Sequence, residues 1–163
     1  MAITAAEPNR APALSLAVQY ALAAPQLPRW RLRRWAQQAL NTAAHQQASL
    51  HGASLTLRLV GRSEARHLNR AYRQRDYATN VLTFAYGPDP DGVHHGDIVL
   101  CLPVLAQEAK DQAKSLLAHA AHLVIHGVLH ALGHDHLEAE EAQRMEALEV
   151  QILARMAIAD PYA

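Results

Sequence analysis

Apolar positions change period along the chain, and that change divides it into elements. Leu14, Leu16, Val18 and Tyr20 alternate with Ser15, Ala17 and Gln19, the period of a half-buried strand. Pro25 and Pro28 punctuate a turn. From Trp30 to Gln47 the apolar set Leu32, Trp35, Ala36, Ala39, Leu40 and Ala43 recurs at helical spacing. Leu55, Leu57 and Leu59 alternate again as a second strand. Ser63 is placed to cap a helix through Leu68 and Tyr72. Asn80 to Tyr86 reads as a third strand, and residues 87–92, rich in Gly, Pro and Asp, as a loop. Ile98 to Cys101 is a short apolar run, the fourth strand. After Pro103 the pattern is helical, with a break near Gly133. This predicts an α+β chain in one piece, strands early and helices late.

Composition narrows the functional classes. A chain of 163 residues with 50% apolar and 18% charged positions fits one soluble domain. Its single cysteine, Cys101, excludes an internal disulfide framework. No apolar run approaches the roughly 20 residues of a membrane span. Prolines and Glu7 stand in the first residues, where a secretory signal would have a basic start and an apolar run. Formal net charge is zero, unlike the basic balance of a strong non-specific nucleic-acid binder. Histidine is the anomaly: six of the eleven fall between His119 and His136.

Those histidines carry the chemistry. His126 and His130 are four residues apart on a predicted helix, which puts both rings on one face with Cβ atoms roughly 5–6 Å apart, close enough to share a zinc ion. His122 lies on the same stripe, but about 12 Å of helical rise separates it from His130. A third ligand therefore needs the chain to turn back. Gly133 is suited to ending the helix in a left-handed conformation, after which His134 or His136 can return to the metal. Spacing does not choose between them. Three neutral imidazoles leave a coordination position open, as in catalytic rather than closed structural sites. His119 and His122 read as packed or hydrogen-bonded helix residues, and His94 and His95 as solvated. Asp135 can orient a ligand histidine or help form the turn. The spacing is also that of the metzincin proteases, which place a glutamate base directly after the first histidine. Here that position is Gly127.

The segment from His126 to His136, His-Gly-Val-Leu-His-Ala-Leu-Gly-His-Asp-His, resembles the signature of the YbeY family, bacterial endoribonucleases of ribosomal RNA maturation. Ala131 stands where that signature has leucine, and His134 where it has tyrosine. The stretch from Leu68 and Asn69 through Arg73 to Thr79-Asn80-Val81-Leu82-Thr83-Phe84 is similar to a second family block. In it, Ala78 replaces a common proline and Thr83 a common serine. Gly96-Asp97-Ile98 matches a family strand start, and the C-terminal helix with Met145 and Asp160-Pro161-Tyr162 is also similar.

The resemblance spans about Leu55 to Tyr162. It implies a zincin-like α+β domain over residues 13–163, a mixed four-stranded sheet flanked by helices; the residues before it, 1–12, read by their composition as a short disordered leader. It implies one zinc per chain, held by His126, His130 and His136, and a catalytic role for Arg73. A guanidinium there can grip a phosphate bidentately; the plainer reading is a surface ion pair with Asp76 or another acid. Arg29, Arg31, Arg33 and Arg34 do not share a helix face and read as solvated surface. The implied activity is zinc-dependent cleavage of single-stranded RNA in small-subunit ribosomal RNA processing and ribosome quality control. The implied setting is the bacterial cytoplasm, with ribosomal RNA precursor and ribosome-associated proteins as partners and no membrane. Zinc would lower the pKa of its water towards about 7, and no carboxylate base is identifiable. Two alternatives compete: a peptidase-like zinc hydrolase, against which Gly127 counts, and a ribosome-assembly factor with a mainly structural zinc.

Overall fold

The computed structural model describes residues 11–134 and 138–163. The expected leader lies, apart from Ala11 and Pro12, outside the described residues, as do Asp135 and His136. Among the described residues, four strands and five helices follow in the order β1 (Ala13–Tyr20), α1 (Arg29–Gln46), β2 (Gly52–Val60), α2 (Arg62–Arg73), β3 (Val81–Pro88), β4 (Val93–Cys101), α3 (Leu102–Asp111), α4 (Leu116–Ala131) and α5 (Ala139–Arg155). The strands form one sheet in the order β1-β2-β4-β3. The β1–β2 and β2–β4 pairs are parallel, and β3 runs antiparallel to β4. The sheet is therefore mixed, as expected. Strands and helices are less segregated than expected, because a parallel pair needs a crossover and α1 supplies the one between β1 and β2.

Both faces of the sheet are covered. Ala53, Leu55, Leu57 and Leu59 of β2 and Ile98 and Leu100 of β4 join the main core with α1, α4 and α5. Val60, Leu82, Val99 and Cys101 join Ala65 and Leu68 of α2 in a smaller core on the opposite face. Strand β4 thus buries both sets of alternate side chains, which is why Ile98 to Cys101 reads as a continuous apolar run. β1 is an edge strand. Arg33 donates to the Leu14 carbonyl at 3.0 Å and Arg29 to the Val18 carbonyl at 3.1 Å. These two arginines cover the strand's outer backbone, a protected edge, rather than standing free in solvent.

Several local expectations are corrected. The α2 N-cap is Gly61, not Ser63, and no side chain bonds to it. β4 begins at Val93, five residues before the apolar run, so His94 and His95 lie in a strand rather than a solvated loop. His94 is buried at 5% exposure. His95 bonds Asp89 at 2.9 Å. The helical C-terminal region carries an additional break between α3 and α4, where Ala113 adopts φ 53° and Ser115 caps α4 by accepting from the Ala118 amide at 3.1 Å.

Two glycines set how closely α4 lies on the sheet. A Cβ at Gly127 would fall 2.8 Å from Ile98 Cγ2, and one at Gly96 would fall 2.9 Å from the Ala131 Cβ and 3.1 Å from the Phe84 carbonyl oxygen. Helix and sheet approach through these bare backbones, and that contact fixes the depth of the histidine-bearing turns. No described helix is long and apolar enough to cross a membrane.

Candidate active site

Helix α4 ends as the glycine stop predicts. The Gly133 amide donates to the His130 carbonyl at 3.0 Å and the His134 amide to the Leu129 carbonyl at 3.0 Å. Gly133 takes φ 97°, a conformation that L side chains adopt only with strain. The chain therefore reverses directly after His130 and brings His134 back alongside it.

A cleft of about 810 Å³ opens at this end of α4. Its walls include His126, His130 and His134 from the helix end, Arg73, Arg75 and Tyr77 from α2 and the segment after it, and Val81, Thr83 and Ala85 from β3. The His126 and His130 ring centroids are 4.7 Å apart. His134 Nδ1 is buried with no hydrogen-bond partner, and burial holds the ring's pKa below the ordinary histidine value. No carboxylate is among the cleft-lining residues described.

Arg73 sits in the last turn of α2. Its Nη2 donates to the Thr83 carbonyl at 2.7 Å, and its guanidinium lies 5.5 Å from the Phe84 ring centroid. The alternative partner, Asp76, is taken by Arg66 through two bonds of 2.8 and 3.0 Å. Arg73 is thus tethered to β3 through one of the five guanidinium donors rather than neutralised by that acid.

Behind the cleft lies a carboxylate that sequence reasoning missed. Glu149 of α5 is fully buried. Its Oε1 accepts a short bond from His126 Nδ1. Its Oε2 accepts another from the Tyr162 hydroxyl and lies 3.3 Å from His122 Nε2. Burial alone would push the carboxyl pKa up, but bonds from His122, His126 and Tyr162 outweigh it and bring it down to about 2. Burial, then the Glu149 contact, pushes the Tyr162 hydroxyl pKa upward. The signal was in the sequence: Met145, Leu148, Ile152 and Leu153 form the buried stripe of α5, and Glu149 stands on that stripe.

Among the described residues, His122, His126 and Glu149 offer ligand atoms all within 4.8 Å of one another, a set able to hold a metal ion. The cleft side of His126 offers another arrangement. His126 Nδ1 is hydrogen-bonded to the buried Glu149 carboxylate, and a histidine that donates from Nδ1 to a carboxylate offers Nε2 to a metal. Metal-ligating histidines are usually held this way, so the residues present fit a metal bound from the cleft by His126 and His130. His119 and His122 are hydrogen-bonded helix residues, as expected, the former to Glu108 at 3.1 Å.

Comparison with known proteins agrees with this geometry. The family model described as Endoribonuclease YbeY matches residues 19–157. The chain belongs to the YbeY family of endoribonucleases. The "Endoribonuclease YbeY" of Bordetella pertussis is 67% identical over 150 residues, covering 91% of this chain and 96% of that protein. A protein of the same name from Methylibium petroleiphilum is 49% identical over 154 residues, covering 93% and 96%. The solution structure of TM1509 from Thermotoga maritima superposes with a TM-score of 0.58 at 18% identity, covering 87% of this chain and 91% of that one. That likeness shows the same α+β fold. By family name, YbeY members are hydrolases acting on RNA.

Proposed function

We propose that this chain is a zinc-dependent endoribonuclease that cleaves single-stranded RNA, acting in the bacterial cytoplasm on small-subunit ribosomal RNA precursors and in ribosome quality control. One observation carries the reading: a single cleft brings His126 and His130 together with Arg73 and Arg75, and no carboxylate lines it among the described residues. A phosphodiester is anionic, and a cleft wall that presents Arg73 and Arg75 suits it.

One zinc per chain would be held by His126, His130 and His136. When bound, zinc supplies Lewis acidity and acidifies a water. The chain's own residues do the rest. Arg73, fixed to the Thr83 carbonyl, holds a phosphate oxygen and stabilises the charge that develops on it. Arg75 and Tyr77 extend the wall along which the strand lies; their side chains meet at 3.3 Å. Glu149 is not the proton acceptor, because it is sealed from solvent and its oxygens are already bonded. Gly127 supports RNA over peptide as substrate: the position of a protease's glutamate is filled here by helix–sheet contact.

The test uses purified protein, labelled single-stranded RNA and casein, each with and without chelator. RNA cleavage that chelator abolishes and zinc restores, with casein untouched, is expected. His126→Ala and His130→Ala should each lose most of the zinc, since two histidines hold the ion poorly. Undiminished zinc in both variants, or casein cleavage by the parent, overturns the proposal.

A further inference from the structure

The buried carboxylate behind the cleft has the connections of a component of the site. Its oxygens are divided between two tasks. Oε1 meets His126 Nδ1 alone, whereas Oε2 meets the Tyr162 hydroxyl and His122 Nε2. One side faces the helix that carries the candidate ligands, and the other is clamped.

The clamp is itself anchored. His122 Nε2 also lies 3.1 Å from the Tyr162 hydroxyl. The tail that carries Tyr162 is docked by its own bonds. The Asp160 carboxylate accepts from the Tyr162 amide at 2.7 Å, and Lys114, in the break before α4, donates to the Pro161 carbonyl at 3.1 Å. A path of hydrogen bonds thus runs from the tail through Tyr162 and Glu149 to His126. A core ion pair would need only one partner for this carboxylate. The structure supplies three donors and ties one to the segment after α5.

We propose that Glu149 is a positioning residue for His126, holding its proton on Nδ1 so that Nε2 is the metal-binding nitrogen, and that the tail through Tyr162 locks Glu149 in place. The inference rests on the reading of His126 and His130 as ligands. It makes the C-terminal tail part of the active site although Tyr162 is not among the cleft residues.

The test is zinc affinity, measured by chelator competition on full-length protein, with the histidine ring tautomers read by nitrogen NMR on the zinc-free form. Glu149→Gln should bind zinc about 10–100-fold more weakly, the range for loss of a partner behind a metal ligand, with its far-UV circular dichroism retained. Tyr162→Phe should shift affinity the same way by a smaller factor. The parent should show His126 protonated on Nδ1, and the variants a mixture. Parent-like affinity in Glu149→Gln, with zinc lost in His130→Ala, overturns the positioning role while leaving the ligand reading intact. Parent-like affinity in His130→Ala overturns the ligand reading itself, and zinc lost in Glu149→Gln and His122→Gln but kept in His130→Ala would put the metal in the buried triad. Should Glu149→Gln fail to fold, Tyr162→Phe decides: unchanged affinity with an unchanged His126 tautomer overturns the proposal.

Discussion

Gly127→Ala tests whether close approach of α4 to the sheet, rather than a missing catalytic group, explains the glycine between His126 and Val128. At an ordinary helix-interior position, alanine for glycine stabilises by about 1 kcal/mol. Here the new methyl would meet Ile98 Cγ2 at 2.8 Å, with Thr83 Oγ1 at 3.4 Å and Val81 Cγ2 at 3.5 Å. Ile98 is almost fully buried and β-branched, so its Cγ2 cannot swing aside without leaving its preferred rotamer. Overpacking of this kind costs about 1–3 kcal/mol. The clash outweighs the propensity gain, and net destabilisation of about 1 kcal/mol is expected, or about 2–4 °C in Tm for a chain of this size.

The assay is urea unfolding of parent and variant without metal, followed by zinc affinity. Because the methyl pushes α4 off the sheet at the turn between the two proposed ligands, zinc binding should weaken as well. A variant stabilised by about 1 kcal/mol, as propensity alone dictates, would refute the packing argument. The longer Gly127→Glu places a carboxylate into the same contact and should unfold the domain or strip its zinc. A folded, zinc-bearing and caseinolytic Gly127→Glu protein would show that the position faces the reaction after all.

Three further outcomes are expected. Arg73→Ala should keep zinc and stability but lose RNA cleavage by about 100-fold or more; Arg73→Lys should restore little of it, because an ammonium cannot reproduce a two-bonded grip on phosphate, and parent-rate cleavage by either variant would remove Arg73 from the mechanism. Gly133→Ala meets nothing within 4 Å but must take φ 97°, so it should cost about 1 kcal/mol and weaken zinc binding, which equilibrium unfolding and chelator competition will show together. Arg58 grips Glu64 at 2.6 and 2.8 Å and holds its pKa below the ordinary value. A depressed carboxylate stabilises the fold above its unfolded pKa, and that contribution is lost as pH falls through the folded one. Both groups are about a third exposed, so Glu64→Gln should cost less than about 1 kcal/mol at neutral pH, with the gap closing below about pH 4; a gap that widens in acid would be contrary.

The elements legible in the sequence were those whose burial has one period. β2 alternates because one face meets the main core, and α1 shows its stripe because only one side is covered. β4 was cut short because Gly96 and two histidines interrupt its apolar pattern, although the backbone pairs continuously from Val93 to Cys101. His94 was read as solvated from its neighbours in sequence. Its neighbours in space are Ala53 and Pro88, across the sheet. The glycine stop at Gly133 could be read locally because a helix end is a local event. Glu149 could not, because what makes it important is 23 residues away at His126. A charged residue on an apolar stripe was the only trace of it.

Zero net charge is no obstacle to an RNA substrate. Net charge is a sum over the whole surface, whereas a phosphate senses charges within a Debye length, about 8 Å in physiological salt. Arg58 and Arg66 are paired with Glu64 and Asp76, and α5 carries acids at Glu140, Glu141 and Glu146. Among the described residues that line the cleft, Arg73 and Arg75 stand without an acid. Two arginines give local attraction without the long-range field of a basic protein. On the function proposed above, such a wall meets a strand at one or two phosphates. On that proposal, selectivity comes from the shape of the cleft and its Tyr77 wall rather than from bulk affinity.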